Sequence, residues 1–221
     1  MKYIVKIINI HQVTHDVKCF RLEKPEGYEY LPGHATDVSI NKPGQEEDIR
    51  PFTFTALTRE PYLEFTIKRY PERHGVTDKL HQLTTGDELI IRDSWGAIDY
   101  KEPGYFIAGG AGITPFIAIL RTLYDEKKTV GNKLFFSNKT VEDIIYKEEL
   151  LKILGEDVVF VLTREKNARY INGRINEKFI KEQISDFNKH FYVCGPDPMV
   201  AELVAGIQNA GASPDALVFE K

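Results

Sequence analysis

The stretch Tyr105-Phe106-Ile107-Ala108-Gly109-Gly110-Ala111-Gly112-Ile113-Thr114-Pro115 decides how the chain is read. An apolar run with the look of a buried strand meets three glycines, and Thr114-Pro115 opens a helical pattern that continues to Lys127. Glycines let the backbone take positive φ and approach a phosphate closely. The N-terminus of the following helix offers unpaired N–H groups and a partial positive charge to the same anion. Thr114 is expected as the N-cap, with Pro115 at the first helical position. A tight strand-to-helix turn without a ligand is the other reading of these residues.

Downstream the pattern alternates. Residues 133–136, 158–162, 191–193 and 217–219 read as strands, and 141–154, 176–184 and 198–210 as helices. Repeated strand–helix units of this length imply a parallel sheet covered by helices. Upstream, residues 3–10, 17–22, 36–40, 52–56, 63–67 and 88–91 are short, rich in β-branched and aromatic residues, and separated by Gly- and Pro-containing turns. Such strands predict a small antiparallel barrel, with one short helix over 76–83. Lys101-Glu102-Pro103-Gly104 is the junction. The expected organisation is an antiparallel β-barrel domain over residues 1–100 and an α/β domain with a parallel sheet over 101–221.

Composition narrows the function classes. With 29 Lys and Arg against 33 Asp and Glu, the chain is not basic enough for a general nucleic-acid binder, although a local basic pocket remains open. Cys19 and Cys194 are the only cysteines and form no CxxC pair, so a thiolate zinc site or iron–sulfur cluster has no support and a reducing compartment is expected. Met1–Lys6 has no apolar leader, and the uncharged run 103–120 is short for a membrane span and broken by glycines and Pro115. A cytoplasmic protein without a membrane span or a nucleic-acid partner is the expectation.

Three further motifs carry chemistry. The strand 133–136 leads into Ser137-Asn138-Lys139, where a dinucleotide-binding fold usually places an acid for the ribose 2′-OH. Ser137, Lys139 and Arg164 suit a 2′-phosphate better; solvated loop charges are the alternative. Cys194-Gly195-Pro196 ends a parallel strand, the edge at which α/β sheets bind ligands; a buried cysteine acting as a small hydrophobe is the alternative. In the barrel half, Arg50-Pro51-Phe52-Thr53 puts Arg50 and Phe52 on one face and Thr53 on the other, and Gly75-Val76-Thr77 opens the short helix. An arginine beside an aromatic is often only a surface stack.

In this order, over essentially the whole chain, these motifs resemble the ferredoxin–NADP reductase superfamily, in which a flavin-binding barrel is joined to a pyridine-nucleotide domain. Arg50-Pro51-Phe52-Thr53 looks like the family's Arg-x-Tyr-Ser/Thr flavin motif, and Gly75-Val76-Thr77 like the segment that grips the flavin pyrophosphate. Gly110-x-Gly112-x-x-Pro115 looks like the nucleotide pyrophosphate loop, and Cys194-Gly195-Pro196 like the nicotinamide motif. The resemblance implies FAD as cofactor and NADPH, with NADH possible, as hydride donor. Arg50, Pro51, Phe52, Lys68, Gly75, Val76 and Thr77 would hold FAD. Gly110, Gly112, Thr114, Ser137, Lys139, Arg164, Gly195 and Pro196 would hold the dinucleotide. Thr53 would hydrogen-bond near the reactive flavin nitrogen, Cys194 would lie beside the nicotinamide without acting as a covalent nucleophile, and Phe219 would shield the flavin.

The pattern departs from the family at Phe52, which lacks the usual phenolic hydroxyl, and at His34, where Gln is common. No ferredoxin-like cysteine segment or globin region accompanies the motifs. Electrons are therefore expected to pass singly to a separate ferredoxin, flavodoxin or oxygenase component. Two other readings are a nucleotide-holding module without turnover and a flavin-free dehydrogenase. No acid–base set near the glycines supports the latter.

Overall fold

Alternating apolar residues build the first half of the computed structural model, which describes residues 1–96 and 98–219. Strands β1 (Lys2–Thr14), β2 (Val17–Glu23), β3 (His34–Ile40), β4 (Arg50–Thr53), β5 (Tyr62–Lys68) and β6 (Glu88–Arg92) pair in the order β4-β3-β6-β1-β2-β5, with β7 (Trp95–Gly96) on β3. Every pairing is antiparallel. A bridge between Phe54 and Phe65, and the Thr55 N–H donated to the Glu64 carbonyl at 2.9 Å, join the two ends of this order and close the barrel. Phe20, Leu22, Val38, Phe54, Leu63, Phe65 and Ile91 fill it. Helix α1 (Val76–Leu80) adds Val76 and Leu80 to that core, and stops short of the expected Leu83.

His81, just after α1, is buried and donates from Nε2 to the Ile67 carbonyl at 2.8 Å. Burial holds its imidazole below the ordinary value of 6.5. The unfolded chain therefore binds a proton that the folded chain resists, so this contribution is complete above pH 6.5 and is lost as the pH falls through the folded pKa. Unfolding free energy should drop between pH 7 and 5 by at most about 1.4 kcal/mol per pH unit from this group. Denaturant unfolding of wild type and His81→Gln checks it: the variant's profile should be flatter over that window.

The second half is a parallel sheet. Strands β8 (Gly104–Gly109), β9 (Lys133–Asn138), β10 (Val158–Leu162), β11 (Ile171–Asn172), β12 (His190–Cys194) and β13 (Leu217–Phe219) lie in the order β11-β10-β9-β8-β12-β13. Phe106, Phe136 and Leu162 pack with α2 (Thr114–Asp125) and α3 (Lys147–Leu154) on one face. Ile107, Phe135, Val161 and Val193 pack with α4 (Glu177–Gln183) and α5 (Asp197–Asn209) on the other. The chain runs outward from β8 to β11 and then returns to β8's other side as β12. The switch point, where such sheets open a crevice, thus lies between β8 and β12.

The helix expected over 141–154 is instead two pieces. Thr140 and Asp143 form a reciprocal capping box around a 3-10 turn, Val141–Asp143. Ile144 and Ile145 then dip into the core, and Tyr146 takes a left-handed φ of 53° before α3 begins. Among the described residues, no helix is long and apolar enough to cross a membrane.

Candidate active site

The glycine loop sits at the switch point, and it is built differently from the sequence expectation. Gly110–Ile113 winds as a 3-10 turn directly into α2. Thr114 is consequently the first residue of α2 and not its cap; Ile113 occupies the cap position, Pro115 is second, and the Thr114 hydroxyl donates to the Ala111 carbonyl at 3.0 Å. Because the 3-10 turn runs directly into α2, the first N–H groups of the continuous run are those of Gly110, Ala111 and Gly112.

Two glycines are required by geometry. Gly110 has φ of 54° and open space where a side chain would project. A Cβ on Gly112 would lie 2.4 Å from the Cys194 carbonyl oxygen and 2.7 Å from the Gly195 Cα. The loop after β8 and the Cys-Gly-Pro loop after β12 are therefore packed backbone to backbone. Cys194 is buried and borders a pocket of about 510 Å3 with Gly195, Asp197, Val200 and Phe219. Phe219 reaches it because β13 pairs with β12, Val193 opposite Phe219. Pro196 is exposed beside it.

Ser137 lies opposite Gly109 across the β8–β9 ladder. Lys139 and Arg164 are both exposed, and the Arg164 N–H donated to the Lys139 carbonyl at 2.9 Å holds their loops together. Sequence reasoning missed Glu165 here. Its carboxylate accepts from the Val141 N–H at 2.8 Å and from the Asn167 amide at 3.1 Å, and these bonds keep its pKa below the ordinary range. Nothing near position 139 in the sequence announces that acid, since it arrives from the end of the neighbouring strand.

On the barrel, Arg50 is exposed with Nη1 donated to the Ile49 carbonyl, Pro51 is exposed, and Phe52 and Thr53 are half-buried. The Phe52 ring lies 6.3 Å from Phe65, centroid to centroid. Lys79 of α1 reaches Asp48, two residues before Arg50, at 2.6 Å, which brings the Gly75-Val76-Thr77 segment beside the head of β4. Lys68 already engages Asp16 at 2.6 Å and Asp143 at 3.7 Å. A cavity of about 750 Å3 bounded by Lys24, Tyr28, Tyr30, His34 and Ser94 is lined by none of the Arg50–Thr53 or Gly75–Thr77 residues.

The match to known proteins follows the same division. Residues 4–100 match the oxidoreductase FAD-binding domain family and residues 106–204 the oxidoreductase NAD-binding domain family. Each half is thus similar to its own oxidoreductase domain family, FAD-binding in the barrel and NAD-binding in the parallel-sheet half. Similar proteins include the propane 2-monooxygenase reductase component of Rhodococcus jostii, 27% identical over 98% of this chain and 62% of that one. NADH–cytochrome b5 reductase 1 of Arabidopsis thaliana is 29% identical, over 95% of this chain and 80% of that one. The FAD/NAD-binding domain of Vibrio cholerae nitric oxide dioxygenase superposes with a TM-score of 0.87 at 20% identity, covering 98% and 97% of the two chains. The chain spans under two thirds of the length of the propane monooxygenase reductase relatives from Rhodococcus and Mycolicibacterium goodii.

Proposed function

We propose that this reductase takes hydride from NADPH in preference to NADH and delivers electrons singly to a separate redox protein, a ferredoxin, a flavodoxin or an oxygenase component. The observation that carries the reading is the interlock of Gly112 with Cys194 and Gly195 at the switch point. It leaves a helix start and open space at Gly110 for a pyrophosphate, next to a pocket for a flat ring at Cys194 and Phe219. FAD, when bound, supplies the exchange between two-electron and one-electron chemistry. Around it, Arg50 faces the pyrophosphate, Phe52 packs beside the ring system, Thr53 offers a hydroxyl, and Gly75, Val76 and Thr77 offer backbone and hydroxyl bonds. Cys194 gives the nicotinamide a small polarisable neighbour, and Phe219 keeps water from it. The naming of the Rhodococcus relative as a reductase component supports an oxygenase partner.

The Arg50 role has a direct test. Loss of a charge-assisted bond to phosphate costs about 1.5–3 kcal/mol, more than tenfold in affinity. Arg50→Ala should purify folded but depleted of FAD, measured by absorbance against protein concentration. Full occupancy with unchanged affinity would remove Arg50 from the site. Wild-type protein that is yellow and bleached by NADPH supports the reading as a whole, and a colourless protein overturns it.

Coenzyme preference rests on Lys139 and Arg164, with the Glu165 carboxylate turned toward Val141. Two partly exposed contacts of about 1 kcal/mol each give roughly a tenfold to thirtyfold preference for NADPH. Lys139→Ala should lower kcat/KM for NADPH several-fold and leave that for NADH unchanged. Equal efficiencies with both coenzymes in the wild type would show that this loop does not read the 2′-phosphate.

A further inference from the structure

Strand β5 alternates strictly. Leu63, Phe65 and Ile67 point into the barrel core. Glu64, Thr66 and Lys68, on the opposite face, are not turned to water: Glu64 and Thr66 are buried and Lys68 is mostly so. Each meets a different piece of the coenzyme half. Glu64 accepts from Arg121 of α2 at 2.7 Å. The Thr66 hydroxyl meets the Tyr146 hydroxyl at 2.9 Å. Lys68 faces Asp143 at 3.7 Å.

These contacts fasten the barrel to the coenzyme half. Arg121 lies seven residues beyond Thr114, roughly 10 Å along a rigid helix from the glycine loop. Its Nη1 also donates to the carbonyl of Thr55, two residues past Thr53, at 2.7 Å, while Nε and Nη2 bind Glu149 at 2.6 and 2.9 Å. Tyr146 and Asp143 follow the Ser137–Lys139 loop, and Asp143's other oxygen closes the capping box on Thr140. The Tyr146 ring lies under the Arg121 guanidinium, 5.0 Å away. Its left-handed φ of 53° is a strained conformation for a non-glycine residue, kept only where surroundings over-determine it. Cys19 completes the cluster between Glu64 and Tyr146; burial and Glu64 push its thiol up to about 12, so it stays protonated.

We propose that Glu64, Thr66 and Lys68 of β5, with Arg121, Tyr146 and Asp143, are positioning residues that set the distance between the nicotinamide and flavin sites. This rests on the reductase reading above. Hydride transfer needs its reacting atoms held within a fraction of an ångström, and a shift of about 1 Å costs on the order of a hundredfold in rate. Two sites on different domains can be held to that tolerance only by bonds across the interface. A row fastened at α2, at the capping-box turn and at Tyr146 resists rotation as well as separation.

Stopped-flow reduction of the flavin at saturating NADPH tests it on Tyr146→Phe, which removes one hydroxyl, and on Arg121→Met. The limiting rate should fall about fivefold in the first and ten- to a hundredfold in the second, with FAD occupancy and NADP+ affinity within about twofold of wild type. Limiting rates within twofold of wild type in both variants overturn the proposal, as does a fall in rate that merely tracks loss of FAD or coenzyme binding. Amide hydrogen exchange of the full chain gives a readout independent of turnover. Peptides covering 55–66 and 141–148 should exchange at least fivefold faster in the variants than in wild type, with β8 and β12 unchanged, and unchanged exchange at those peptides overturns the proposal. A wild-type protein reduced by neither coenzyme overturns the reductase reading instead, and the exchange result then upholds or overturns the interface by the same criterion.

Discussion

Gly112→Ala is expected to weaken NADP+ binding ten- to a hundredfold and to destabilise the chain. The added Cβ would stand 2.4 Å from the Cys194 carbonyl oxygen and 2.6 Å from its carbon. Both are backbone atoms of a central strand end, so neither can swing aside. The glycine loop or the Cys194-Gly195 turn must move, and forcing such an overlap costs typically about 1–3 kcal/mol. Because both loops border the same crevice, the displacement enters coenzyme affinity too, at tenfold per about 1.4 kcal/mol. Gly110→Ala is the contrast. It meets open space and carries only the left-handed penalty, about 1–2 kcal/mol. Calorimetric titration with NADP+ and denaturant unfolding of both variants decide the matter. Wild-type affinity in the Gly112 variant would mean that the interlock does not shape the site.

Arg121→Met should cost about 3–5 kcal/mol in unfolding free energy, the range for breaking one side of a buried ion pair. Glu64 is only 2% exposed, and it would keep the Arg21 guanidinium at 3.0 Å, the Thr55 hydroxyl at 3.0 Å and the Cys19 thiol beside it. In the wild type, burial acts to raise the Glu64 pKa, but Arg121's charge and hydrogen bonds outweigh it and hold the carboxyl below its ordinary 4.5. Its stabilisation is thus present above pH 4.5 and lost as the pH falls through the depressed value. Without Arg121 the carboxyl is pushed the other way and takes up a proton more easily. The deficit should therefore be largest at neutral pH and shrink toward pH 4.5. Urea unfolding at the two pH values measures it; a loss below 1 kcal/mol at pH 7 would mean that Arg21 alone suffices for Glu64.

Sequence reasoning stopped short in several places, for different physical reasons. Tyr62-Leu63-Glu64-Phe65-Thr66-Ile67-Lys68 alternates apolar and polar residues, a local pattern that does not show what covers its polar face. A second domain covers that face, so its charges are paired across an interface that no local pattern reveals. Lys68, which the family resemblance assigned to the flavin, is engaged by Asp16 and Asp143. Residues 141–154 carry a helical apolar period, but the capping box at Thr140 and Asp143 and the bond from Tyr146 to Thr66 break the helix. Thr114 reads as a cap because Ser and Thr usually cap; the helical winding of the preceding glycines moves the helix start upstream.

The sequence by itself determined the two architectures, since apolar periods of two and 3.6 residues and the glycine and proline breaks are local properties of the chain. It also determined which stretches could meet phosphates, because positive φ and free N–H groups depend on residue type and on a helix start. Only the tertiary structure decided that Gly112 touches Cys194, that Arg164 stands beside Lys139, that Glu165 turns toward Val141, and that Glu64, Thr66 and Lys68 face the other domain. Each of those contacts joins residues far apart in the chain. Which strand ends become neighbours depends on the order in which the sheets close, and that order is set by the summed burial of the two cores.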